Sequence, residues 1–214
     1  MSFDISAHLG AMTRSVRNLE RDGQPAKAVV AGRVYDTTPA DLWDALTNAE
    51  RLKRWFAPVS GELHLGGRYQ VEGNAGGTIT ECVPEKRIAV TWEFGGAMSW
   101  VTVTLAPEGA GTRLELEHVA PLSPHWDSYG PGAVGVGWDL SFLGLSAHLE
   151  RPGDDVRAEG LAGWETSETA KSLVRSASDD WGRAAIAAGE DREHALKAAE
   201  ATRRFYSGEA PMEG

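Results

Sequence analysis

The hydrophobic pattern of this chain changes period twice, and that double change limits the fold more than any single motif. Between residues 60 and 119 apolar and polar residues alternate, the period of strands with one buried face. Every segment is short and ends in a turn: Gly66-Gly67, Gly76-Gly77, Pro84-Glu85, Gly95-Gly96 and Gly109 to Gly111. Turns this tight join antiparallel neighbours, because a parallel pair needs a crossover of a dozen residues or more. After Gly130-Pro131-Gly132 the period returns to 3.6 and runs to about Leu149. The pattern predicts an α+β fold: about six short antiparallel strands, then one long helix.

The flanks fit around that centre. Residues 27–36 read as a strand, and Thr38-Pro39 caps and opens a helix with Leu42, Trp43, Leu46 and Ala49 on one stripe. A second short helix follows from Glu50 to Phe56, and Pro58 stops it. Upstream, Ile5, Leu9, Met12, Val16 and Leu19 stand at helical spacing and predict an amphipathic helix over 5–19, broken at Gly23-Gln24-Pro25. Gly66-Gly67 predicts a two-residue hairpin between Glu62–Leu65 and Arg68–Glu72.

The long helix carries two apolar stripes on nearly opposite sides. Val134, Trp138, Phe142, Leu145 and Leu149 form one; Val136, Leu140, Leu143 and Ala147 form the other. A helix apolar on two sides must be covered on two sides. A sheet can cover one. The tail offers a cover for the other: a helix with Leu173, Ala177, Trp181, Ala184 and Ala188, ended by Gly189, then a helix capped by Asp191 with Ala195, Leu196, Ala199, Thr202 and Phe205. The same stripes could cover a partner copy in a swapped homodimer.

Charge and cysteine narrow the function. A net charge of −10 argues against nucleic acid and against an anionic membrane surface, both of which demand a basic face. Cys82 stands alone, so no internal disulfide is expected. The start, Met1-Ser2-Phe3-Asp4, lacks the basic-then-apolar pattern of a signal, and no apolar run is long enough to span a bilayer. A cytoplasmic protein is the expectation.

One continuous block carries a family resemblance. It runs from Val34-Tyr35-Asp36-Thr37-Thr38-Pro39 through Leu42 to Asn48, Leu52 and Trp55-Phe56. It continues through Leu65 to Tyr69, Gly77-Thr78-Ile79, Pro84, Arg87 to Trp92 and Thr112 to His118. Element order and block together resemble the START-like, or SRPBCC, superfamily, in the branch of the activator of the ninety-kilodalton heat-shock chaperone's ATPase. The resemblance implies a helix-grip fold, a curved antiparallel sheet wrapped around a long helix, here with extra C-terminal helices. The expected organisation is an N-terminal extension over 1–26, the helix-grip domain over 27–149, a helical extension over 150–206 packed on it, and a disordered tail over 207–214.

Eight tryptophans are unusual in a chain of this length, and indole suits both cores and small-molecule pockets. The candidate ligand-contacting residues are Trp43, Trp55, Phe56, Tyr69, Trp92, Trp100, His118, Trp138 and Phe142. His118 alternates with Leu114 and Leu116 and shares their face, where it could orient a ligand or move a proton; it could equally be a satisfied core histidine. Arg33 and Glu81 are lone polar residues in strands. Gly130 to Gly135 matches G-x-G-x-x-G, but no parallel β-α-β unit surrounds it, so the glycines read as packing residues. His118, His125, Asp127 and Asp139 lack ligand spacing, so no metal is expected. Cofactor and catalytic residue are likewise expected to be none. The resulting expectation is a non-catalytic carrier or sensor of a small, mostly apolar molecule, held between the sheet and the long helix. The alternatives are a cyclase- or hydrolase-type enzyme using a polar pocket residue such as His118, and a chaperone-interaction module.

Overall fold

The computed structural model of the chain describes residues 5–157 and 167–209. The short helix α1 (Ile5–Gly10) leads into β1 (Thr13–Arg21) and β2 (Gln24–Tyr35). Helices α2 (Pro39–Thr47) and α3 (Ala49–Trp55) come next. The meander is β3 (Val59–Gly61), β4 (Arg68–Val71), β5 (Gly76–Val83), β6 (Arg87–Phe94), β7 (Ala97–Glu108) and β8 (Gly111–Pro121). Helices α4 (Pro124–Tyr129), α5 (Gly132–Glu150), α6 (Glu168–Ala187) and α7 (Arg192–Tyr206) follow. The strands form one eight-stranded sheet in the order β1-β2-β8-β7-β6-β5-β4-β3. This is the α+β arrangement expected, and the local signals explain much of it. The Thr38 hydroxyl accepts from Asp41 N, Asp191 accepts from His194 N, and Gly95 and Gly96 both have positive φ, as a two-residue hairpin turn requires.

Three local expectations are corrected. Residues 13–19 are strand, not helix. Asp22 (φ 53°) and Gly23 (φ 75°) form a tight turn that folds β1 back against β2, and cross-strand pairing overrides a helical spacing that five apolar residues happened to satisfy. Gly66-Gly67 is not a hairpin turn; β3 pairs with β4 across the longer loop 62–67, through Gly61 and Tyr69. The Gly66 and Gly67 backbones bond instead to Ile79, and a Cβ on Gly67 would lie 2.0 Å from Glu62 O. Leu196, placed on the buried stripe of the last helix, is 45% exposed; Ala195, Ala198, Ala199 and Thr202 are the buried ones. Residues 158–166 of the expected helical extension and 210–214 of the expected tail lie outside the described residues.

The chain divides into two compact units. The sheet unit comprises Gly32–Ala120 and Ser141–Glu159; the helical unit comprises Met1–Ala31, Pro121–Leu140 and Gly160–Gly214. Strand β2 and helix α5 therefore each contribute to both. In the helical unit Trp181 of α6 is wholly buried and lies flat against the start of α5, where a Cβ on Gly135 would stand 2.3 Å from its Cε2. A Cβ on Gly132 would stand 2.9 Å from Thr202 Cγ2 of α7. The G-x-G-x-x-G glycines thus serve close approach, to side chains rather than to backbone. The same unit buries an ionic network. Asp139 accepts from Arg14 Nε (3.2 and 3.1 Å to its two oxygens) and from Trp181 Nε1 (3.0 Å), while Arg14 Nη1 also donates to Asp180 (3.0 Å).

Candidate functional site: the inner face of the sheet unit

The strand register sorts the side chains of the sheet unit onto two faces. Trp92 opposes Ser99, Val101 opposes His118, Val103 opposes Leu116 and Leu105 opposes Leu114. The other rows hold Thr91, Thr102, Thr104, Glu115 and Glu117. One face is therefore apolar and the other polar, as the alternation predicts. Helix α5 lies on the apolar side. A Cβ on Gly111, in the outer row of β8, would stand 3.4 Å from Val34 Cγ1, so Val34 is outward and Arg33 and Tyr35 are inward. The Tyr35 hydroxyl donates to Phe142 O of α5 (3.2 Å), and the two rings sit 6.3 Å apart.

On this inner face the structure brings several candidates together. Tyr69, Val71 and Ile79 form a buried cluster with Ala57, and Phe56, Ile88, Val90 and Trp92 pack against it half-covered. The Tyr69 and Trp92 rings are 6.5 Å apart, and Trp92 and His118 are 6.2 Å apart, edge to face. Trp55 stacks 5.5 Å from Phe56 and donates its Nε1–H to Ala45 O (3.1 Å), which ties α3 to α2. The remaining candidates stand elsewhere. Trp100 pairs with Val119 in the outer rows, on the opposite face from Trp92. Trp43 is half-buried on α2. Trp138 is half-buried in the helical unit.

The polar atoms of the inner face are few and oriented. Ser99 donates its hydroxyl to Trp92 O (3.1 Å) and has His118 Nε2 at 2.8 Å. A hydroxyl has one proton, so Ser99 accepts from His118, and Nε2 carries the imidazole hydrogen. Burial pushes His118 down to about 4, which keeps it neutral at physiological pH. Tyr69 donates to Thr91 O (2.7 Å), and burial raises its hydroxyl well above the ordinary tyrosine value. Cys82 also faces inward, opposite Ile88, half-buried. At one end of the strands a groove of about 590 Å³ opens between Pro39, Val83, Lys86, Thr104 and Leu105.

Sequence reasoning gave Arg33 and Tyr35 little weight. Their i, i+2 spacing on a strand was the available signal; what lay beyond it was which face turned toward α5. Among the described residues no group of three or more His, Cys, Asp or Glu is arranged to hold a metal ion, and no helix is long and apolar enough to cross a membrane.

Comparison with known proteins agrees with this architecture. CalU16 of Micromonospora echinospora is 28% identical in its crystal structure, with a TM-score of 0.66 over 84% of this chain and 99% of that one. Its solution structure is 30% identical with a TM-score of 0.68, over 84% and 97%. The activator of 90 kDa heat shock protein ATPase homolog 1 of Mus musculus is 30% identical over 99 residues, 44% of this chain and 29% of that protein. The chain thus spans under a third of the length of the curated relative. A family model described as "Activator of Hsp90 ATPase homolog 1-like protein" matches residues 36–150, more than half of the sequence, and the chain belongs to that family.

Proposed function

We propose that the sheet unit is a non-catalytic binding module for a small, mostly apolar molecule, held on the inner face beside α5. The observation that carries this reading is the uneven cover of that face. The inner rows of β7 and β8 are buried at Val101, Leu105, Leu114, Leu116 and His118. The inner row of β6 is only half-covered at Ile88, Val90 and Trp92, and Phe94 at its end is 58% exposed. A continuous apolar row left partly open, with a few oriented polar atoms beside it, has the composition of a small-molecule site. Covering it would gain roughly 25 cal/mol for each Å² removed from water. Trp92 lies in that row, so an uncharged naphthylamine probe should bind in the micromolar range and quench tryptophan emission. A folded protein that binds no such probe would end this reading. Native mass spectrometry of protein from its own host identifies the natural ligand.

A second reading rests on the comparisons. The matched curated relative is named as an activator of a chaperone ATPase, and 99 residues of this chain align with it. If the module acts on a chaperone, adding it to the 90 kDa heat-shock protein of its own host should raise ATP turnover. Unchanged turnover across a tenfold excess would remove that role.

A further inference from the structure

We propose that the ligand of the inner face is uncharged and seats a hydroxyl on Ser99, as a phenol or alcohol on an apolar frame would, an inference that rests on the binding role just assigned to that face. Along β3 to β8 the inner rows, traced through the register, hold no Lys, Arg, Asp or Glu. The charged groups of those strands belong to the outer rows, where Arg68 pairs with Glu93 (2.9 Å) and Arg87 with Glu81 (2.8 Å). The stretch of α5 in the sheet unit, Ser141 to Leu149, has none either. Arg33 of β2 is set apart from the half-covered β6 row by the buried inner rows of β8 and β7. A carboxylate covered at that row would lose its water with no cation to replace it, a cost that an uncharged ligand avoids.

Ser99 stands directly across from Trp92 of the half-covered row and is itself half-buried. Its hydrogen goes to Trp92 O (3.1 Å), and its oxygen accepts from His118 Nε2 (2.8 Å). Burial keeps His118 neutral, so the imidazole has a single ring hydrogen, the one given to Ser99. A hydroxyl oxygen can accept twice, so Ser99 keeps one acceptor position and has no hydrogen to offer. The Tyr69 hydrogen is likewise committed, to Thr91 O (2.7 Å). A ligand ether or carbonyl placed at Ser99 would meet an oxygen that cannot donate, whereas a ligand O–H would complete its set of bonds. The inner face thus selects for a hydrogen-bond donor and against an acid.

Three probes on one ring system test this. 2-Naphthol offers a hydroxyl donor, 2-methoxynaphthalene an ether in its place, and 2-naphthoate an anion. Each is titrated by calorimetry at neutral pH against the full chain and against Ser99→Ala and Ser99→Thr. In the unaltered protein the naphthol should bind most tightly and the naphthoate at least about tenfold more weakly. In Ser99→Ala the preference for naphthol over the ether should shrink about fivefold, which is about 1 kcal/mol, while the ether stays within about twofold. Ser99→Thr keeps the hydroxyl and should keep the preference. If Ser99→Ala does not fold, the ranking in the unaltered protein and in Ser99→Thr decides. Naphthoate binding as tightly as naphthol overturns the proposal, as does an unchanged preference in folded Ser99→Ala or an equal loss of all three probes. A chain that binds the uncharged naphthylamine but shows no preference within the series overturns this inference alone. If it binds neither the naphthylamine nor any of the three, the binding reading falls and takes this inference with it.

Discussion

Replacing Gly135 by alanine should destabilise the protein, although alanine is the better helix former. A Cβ at this position would meet three atoms of one indole: Trp181 Cε2 at 2.3 Å, Nε1 at 2.6 Å and Cδ2 at 2.7 Å. The indole has no room to yield, because it is fully buried and its Nε1–H is bonded to Asp139 at 3.0 Å. Overpacking of this kind costs about 1–3 kcal/mol. Dragging the indole off a buried carboxylate adds about 1–3 kcal/mol. Helix propensity returns about 1 kcal/mol. The net expectation is a loss of about 1–5 kcal/mol for Gly135→Ala. Trp181→Leu removes all three clashing atoms and should itself cost about 3–5 kcal/mol, within the reserve of an ordinary domain. In that background Gly135→Ala should become neutral or stabilising by up to about 1 kcal/mol, so the sign of its effect reverses. Urea melts followed by far-ultraviolet circular dichroism read all four proteins without relying on tryptophan emission. The packing account is refuted if Gly135→Ala lies within about 0.5 kcal/mol of the parent, or costs the same in both backgrounds.

Burial raises Asp139 to about 6, against the pull of Arg14 and Trp181, so the folded state holds its proton more tightly than the unfolded chain. Its contribution is therefore most favourable below about pH 4 and fades as pH rises to 6; the stability difference between parent and Asp139→Asn should shift by roughly 3 kcal/mol over that window, and a constant difference would contradict it. His118 has the opposite sign: held near 4, it costs stability as pH falls from 6.5. Nitrogen-detected NMR should show its imidazole neutral down to about pH 4, and a midpoint near 6.5 would show that it is not buried as described. Glu85 has φ of 61°, a backbone region glycine occupies freely, so Glu85→Gly should raise stability by about 1 kcal/mol in thermal melts, and a loss would argue that the turn is not strained. Ending the chain after Glu150 would remove Trp181 and Thr202, against which Gly135 and Gly132 of α5 pack, and should lower the melting temperature and promote association in light scattering; an unchanged monomeric melt would make the tail independent.

Most element boundaries were legible because they depend on local chemistry. Thr38-Pro39 opens α2, Gly95-Gly96 closes the β6–β7 hairpin, and Asp191 caps α7 wherever those residues are placed. The misses share a cause. Residues 13–19 suit a helical spacing on paper, and only pairing with β2 makes them a strand. Asp22-Gly23 was a hairpin signal that the neighbouring proline obscured. Leu196 and Ala198 lie two positions apart on one helix, and the neighbouring helices decide which of them is buried.

The sequence by itself determined an antiparallel meander between helices, since period and turn chemistry act within a few residues of each other. It also determined that one face of the meander is apolar. Which tryptophans share that face was decided by tertiary structure. Trp92 and Trp100 lie eight residues apart, and the register across the β6–β7 hairpin puts them on opposite sides. So too with charge: Arg33 and Arg68 both sit in strands, but Val34 packs outward beside Gly111, and this turns Arg33 toward α5 while Arg68 pairs with Glu93 on the outside. Strand alternation says only that neighbours point to opposite faces; which face is the inner one is set by the helix that packs there.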